Sequence, residues 1–181
     1  MRYIIVHLIR GEAKKAHEAI TKDLATRFNS FPIHERLPPH LTIKRWFEID
    51  DKGMAVVRNT LDAFIASHTQ SDYNLSEFNH FGDGVIYVDV KASQKMLSDI
   101  GQLKDSLRQV ENLTFDEFED RELVLHATVA MKALRLFDFT QLWDYLQTTN
   151  APNFDLRFDN IALMKKETDT WVMDTVWELR P

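Results

Sequence analysis

The chain has 181 residues, 44% of them hydrophobic and 28% charged, which is the balance of a globular protein and not of a disordered one. It contains no cysteine, so disulfides, thiolate metal sites and cysteine nucleophiles are excluded. Its 22 basic and 28 acidic residues leave a net charge of −6, and a broad basic face for a long nucleic-acid backbone is not expected. The apolar start from Tyr3 to Ile9 is too short for a signal peptide and carries His7. No stretch approaches the roughly 20 apolar residues that span a bilayer. The expectation is a soluble, cytoplasmic monomer with no membrane partner.

The pattern switches repeatedly between the strand and helix periods. Residues 2–9 read as a strand, and Gly11 opens a helix with Ala13, Ala16, Ile20, Leu24 and Phe28 on one stripe. The prolines at 32, 38 and 39 make 31–39 a loop. Residues 40–49 form a second strand. Asp50 or Asp51 then caps a helix that buries Met54, Val57, Leu61, Phe64 and Ile65. Residues 73–81 and 85–90 read as a hairpin across Gly82-Asp83-Gly84. Ser93 caps a helix with Leu97, Ile100, Leu103, Leu107 and Val110 inward. Residues 116–122 hold five acids and read as a solvated loop anchored by Phe115 and Phe118. Residues 123–134 read as a strand, and Asp138 with Gln141 as a capping box opening a short helix through Leu142, Trp143 and Leu146. Residues 155–164 and 171–179 read as two final strands around the polar turn 165–170. No linker or low-complexity run divides the chain. The fold class is α+β: two antiparallel sheets with helices packed outside.

Two segments share one pattern, Pro39-His40-Leu41-Thr42-Ile43 and Leu125-His126-Ala127-Thr128-Val129. Strand side chains alternate between faces, so each segment sets an imidazole and a hydroxyl side by side, about 7 Å apart at the backbone, with apolar neighbours pointing inward. One His-x-Thr among seven histidines is ordinary; two inside apolar strands are a signature. Histidine gains and loses a proton near neutral pH. Two such groups can serve one reaction as a base and an acid. The threonine hydroxyls can donate to an oxygen on which charge builds.

The duplicated His-x-Thr resembles the signature of the 2H phosphoesterase superfamily, and the order of elements is similar to its 2'-5' RNA ligase branch. The resemblance covers nearly the whole chain. It implies one domain over 1–181 made of two pseudo-symmetric lobes, whose sheets face a central cleft. It implies hydrolysis of 2',3'-cyclic phosphates or 2'-5' linkages, or the joining of RNA ends, without metal, ATP or other cofactor. His40, Thr42, His126 and Thr128 are then the catalytic residues, and the substrate is a nucleotide or an RNA end. That branch often has an arginine five residues after the second histidine, where this chain has Met131.

Strand parity puts Lys44 on the face of His40, and Lys132 on that of His126; both are candidate phosphate partners, as point charges and not as bidentate clamps. Trp46 shares the parity of His40 and is placed to stack a base at the cleft rim. Tyr3 and His7 share a face of the first strand that can reach the cleft, and Tyr87 is similar. His17, His34, His68 and His80 have no matching partners and read as surface residues. A module that holds a nucleotide or RNA-end phosphate without turning it over is the competing class. Binding alone needs cations more than it needs two neutral imidazoles.

Overall fold

A computed structural model describes residues 1–119, 124–131 and 138–181. The elements run β1 (Arg2–Leu8), α1 (Gly11–Phe28), α2 (Ile33–Arg36), β2 (His40–Glu48), α3 (Asp51–Ser67), β3 (Ser71–Phe81), β4 (Val85–Ala92), α4 (Gln94–Arg108), β5 (His126–Met131), α5 (Phe139–Gln147), β6 (Asn153–Phe158), β7 (Asn160–Glu167) and β8 (Thr170–Glu178). Two four-stranded antiparallel sheets result, ordered β2-β1-β7-β8 and β5-β4-β3-β6. Each sheet therefore carries one His-x-Thr strand at its edge.

The helix starts follow from side-chain capping. Asp50 accepts from the Gly53 amide, Ser93 from that of Met96 and Asp138 from that of Gln141, each satisfying a donor the first turn leaves open. Helix α3 buries Met54, Val57, Leu61 and Phe64, and α4 buries Met96, Ile100, Leu103 and Leu107 in the same core. In the β3–β4 turn, Gly82 takes a φ of 54°, a left-handed value that side chains disfavour. Among the described residues, no helix is long and apolar enough to cross a membrane.

Three features depart from the sequence reading. The segment 31–39 holds one helical turn, α2, because Pro32 precedes and does not interrupt it. The stretch 155–164 is two strands, with Asp159 between them: β6 pairs with β3 and β7 with β1, so the chain changes sheet. Asn160 makes the change possible. Its buried carboxamide accepts from the Leu8 amide at 2.9 Å and donates to the Leu8 carbonyl at 3.1 Å, replacing a backbone ladder step. The stripe of α1 is also rotated: Ala13 and Leu24 are buried as expected, but His17 and Thr21 lie between them, while Ala16, Ile20 and Phe28 are half-buried. Part of the strand read over 123–134 lies outside the described residues.

Candidate active site

On β2, Leu8 stands opposite His40 and Val6 opposite Thr42; on β5, Asp89 stands opposite His126 and Tyr87 opposite Thr128. The alternation holds on both strands: Leu41, Ile43, Ala127 and Val129 are core residues, and the two histidines and two threonines are half-buried. Thr42, His126 and Thr128 form part of the wall of a cavity of about 520 Å³, together with Arg45, Phe81 and Phe118. His40 is not part of that wall, but it lies near enough that charge on His126 lowers its affinity for a proton.

The two imidazoles are held alike. His40 Nδ1 is 2.8 Å from the Pro38 carbonyl, and His126 Nδ1 is 2.9 Å from the Val124 carbonyl, in each case two residues upstream. A carbonyl only accepts, so Nδ1 carries the proton and Nε2 keeps a lone pair. Burial pushes His40 down from its ordinary 6.5 to about 4, against the opposing pull of the Pro38 carbonyl. His126 is lowered chiefly by burial and further by Arg45, while the Val124 carbonyl and Asp89 oppose the shift. Both shifts favour the neutral ring at pH 7. Phe81 meets His126 edge-on at 5.0 Å, and Tyr87 lies 5.2 Å from it. Tyr87 is only 3% exposed, so it is a platform beneath the site and not an open contact.

Lys44 does not face the cleft, because the β1–β2 register slips twice: Val6 pairs with Thr42, Ile5 with Lys44 and Tyr3 with Phe47. Each slip spends an extra β2 residue and reverses the parity of the residues beyond it. Lys44 turns inward beside Ile43, fully buried, with Nζ 2.8 Å from Glu119 Oε2 and 4.4 Å from the centre of the Phe115 ring. Arg45 takes the cleft position instead. Trp46 is exposed at the far end of the strand with the Arg2 guanidinium 4.9 Å over its ring, away from the cavity wall. Tyr3 and His7 lie on the β1 face opposite to Val6 and Leu8, and so opposite to His40 and Thr42. Tyr3 packs 5.9 Å from Phe47. His7, fully enclosed, donates from Nδ1 to the Asn160 carbonyl and accepts at Nε2 from the Tyr73 hydroxyl. Lys132 lies outside the described residues.

Besides Arg45, two further groups escaped the sequence reading. His17 is 4% exposed; its Nε2 sits 2.9 Å from the Thr128 carbonyl, and burial, aided by nearby His40, pushes it down to about 4. Its Nδ1 is buried and has no partner among the described residues. The spacing 13-17-21-24 is a helical stripe, which was the available signal. Glu119 is not solvated but 6% exposed, binding Lys44 through Oε2 and the Arg45 amide through Oε1, while its backbone carbonyl accepts from Lys104. A buried carboxylate inside an acidic run carries no sequence mark. Among the described residues no group of three or more His, Asp and Glu is placed to hold a metal ion.

Two antiparallel sheets, helices outside, and a His-x-Thr strand from each sheet converging on one cleft define the architecture of a 2H phosphoesterase. The model of the 2'-5' RNA ligase superfamily matches residues 11–170, and the chain belongs to that superfamily. Solved structures agree on the fold. TT0787 of Thermus thermophilus superposes with a TM-score of 0.63 at 14% identity, over 99% of this chain and 98% of that one. A structure described as a phosphoesterase gives 0.62 at 12% identity, over 99% and 98%. E. coli LigT complexed with 3'-AMP gives 0.60 at 12% identity, over 98% and 97%. No curated protein matches the sequence.

Proposed function

We propose that the chain is a metal-independent phosphoesterase acting on 2',3'-cyclic phosphate or 2'-5' phosphodiester bonds of RNA ends or nucleotides, with His40 and His126 as its acid–base pair. The observation that carries this reading is the shared anchoring of the two rings: each has Nδ1 tied to a carbonyl and Nε2 left as a lone pair. One Nε2 takes a proton from water as its oxygen bonds to phosphorus. The other ring, protonated, gives its proton to the ribose oxygen as the P–O bond breaks. A neutral ring is already a base, and the other becomes the acid by taking a proton from solvent once a bound phosphodiester raises its proton affinity. Thr42 and Thr128 hydroxyls bracket the non-bridging oxygens. With a ribose 5'-hydroxyl in place of water, the reverse reaction joins ends.

That E. coli LigT has been crystallised with 3'-AMP and with phosphate supports a ligand of this kind. Two imidazoles with Nδ1 anchored and Nε2 left as a lone pair favour turnover over a module that only binds, which needs fixed cations more than paired proton carriers. The test is a panel of 2',3'-cyclic nucleotides, 2'-5' dinucleotides and cyclic-phosphate-ended RNA incubated in EDTA. Turnover of at least one class is the expected result. Turnover only after a divalent metal is restored removes the mechanism, and tight binding without turnover leaves the binding module.

A further inference from the structure

The slips in β2 leave Arg45, and not Lys44, in the cavity wall. Of the two cations among the described wall residues, Lys104 is 7% exposed and donates to the Glu119 carbonyl at 2.8 Å. Met131 adds only a thioether. Arg45 is different. Its charge is felt by His126, its guanidinium carbon lies 4.8 Å over the centre of the Phe118 ring, and Nη1 is 2.7 Å from Asp116 Oδ2. We propose that Arg45 holds the substrate phosphate, and that Asp116 is the placeholder the phosphate displaces. This rests on the phosphoesterase reading above and names the anion subsite of that same cleft.

A guanidinium offers paired donors in a plane, and a carboxylate and a phosphate present matching pairs of oxygens. Phe118 gives the guanidinium an aromatic ring to lie against. The present pair is replaceable, because its side chains are 41% and 42% exposed and such pairs are weak in water. The two partners are unequally free. Asp116 is fixed through Oδ1, which accepts from the Phe118 and Glu119 amides at 3.0 and 3.2 Å. Glu119, in turn, is pinned between Lys44 and the Arg45 amide. When phosphate arrives, the flexible arginine stem moves and Asp116 stays.

The carboxylate left behind then repels the bound ligand. A phosphodiester carries one negative charge and the monoester formed from it carries nearly two at pH 7, so Asp116 penalises product more than substrate. It thereby sets specificity by charge and speeds product release.

The experiment measures equilibrium binding of adenosine 3'-monophosphate and of adenosine 2',3'-cyclic phosphate, all variants being made in a His40→Ala background so that the cyclic ester is not turned over, with inorganic phosphate as a control. Asp116→Asn is expected to tighten the monophosphate about 10-fold and the cyclic phosphate about 3-fold, the unequal gain following the charge difference. Arg45→Met is expected to weaken both about 10–100-fold and to abolish the gain from Asp116→Asn in the double variant. Arg45→Lys, which keeps the charge and loses the fork, should fall between, and stands in if Arg45→Met does not fold. Unchanged or weaker binding in Asp116→Asn overturns the exchange. Wild-type affinity in the Arg45 variants overturns the phosphate subsite. Monophosphate binding needs no turnover, so an inactive protein with these affinities defeats only the enzymatic reading, and wild-type turnover without these differences defeats only the subsite.

Discussion

His40 and His126 share an anchor but not a surrounding. Burial is the largest influence on both, but His40 has its neighbour's charge added to it, whereas His126 has Arg45 and Asp89 pulling in opposite directions. If each transfers a proton in the rate-limiting step, His40→Ala and His126→Ala should each lower kcat about 10²–10⁴-fold. The double variant should lose far less than the product of the two, since acid and base serve one transition state. Strict multiplicativity would mean that the two rings act in separate steps. His17 makes a different claim on the site, through the Thr128 carbonyl. His17→Leu leaves that buried acceptor unpaired, at a cost of about 1–3 kcal/mol in urea unfolding. His17→Gln can present an N–H in the same place and should recover most of it. Equal destabilisation by Leu and Gln would show that the ring's shape, and not its hydrogen bond, is what matters. The paired histidines and threonines were legible because strand alternation is strict over three residues. Arg45 was not legible, because it owes its position to a slip that nothing in the local sequence marks.

The elements themselves were mostly readable, since caps and hydrophobic stripes are local properties. Asp50, Ser93 and Asp138 cap as their residue types suggest, and the stripes of α3 and α4 face inward as spaced. What failed was register and sheet membership, which are properties of pairs. The run 155–164 alternates well enough to be one strand, and only the placement of Leu8 opposite Asn160 breaks it. Asn160→Ala should therefore cost about 2–5 kcal/mol, because it strands an amide and a carbonyl of β1 together. Urea midpoints measure this; a loss under about 1 kcal/mol would mean that the junction is held by its neighbours. Arg45 and Glu119 belong to the same lesson, since the Arg45 amide that Glu119 accepts from lies at the second slip of β2.

For the molecule as a whole, three histidines held near pKa 4 tie stability to acidity. A histidine whose folded value lies below its ordinary 6.5 takes up its proton more readily when unfolded. Its contribution is thus complete above pH 6.5 and is lost as pH falls towards 4. His7 and His17, both deeply buried, contribute on the order of 3 kcal/mol each, and His40 adds in the same direction. Unfolding free energy measured at pH 7.5, 6, 5 and 4 should fall most steeply between the last three. His7→Asn should start less stable and show a flatter slope. A wild-type profile level down to pH 4 would mean that these rings charge without leaving their sites.

The sheet that carries His40 joins strands from far ends of the chain, with Val6 opposite Ala162, whereas β3 and β4 are neighbours along it. A nascent chain leaving the ribosome can close the β3–β4 hairpin early. Meanwhile β1 waits, one edge unpaired, until β7 has been made, a delay set by loop closure over most of the chain. During that interval the Ile4-Ile5-Val6 segment is an open, apolar edge and the natural place for misassembly. Pulse-labelled hydrogen exchange during refolding should show protection first in β3 and β4 and last in β1 and β7. A halted translation product ending before β7 should need a chaperone to stay in solution.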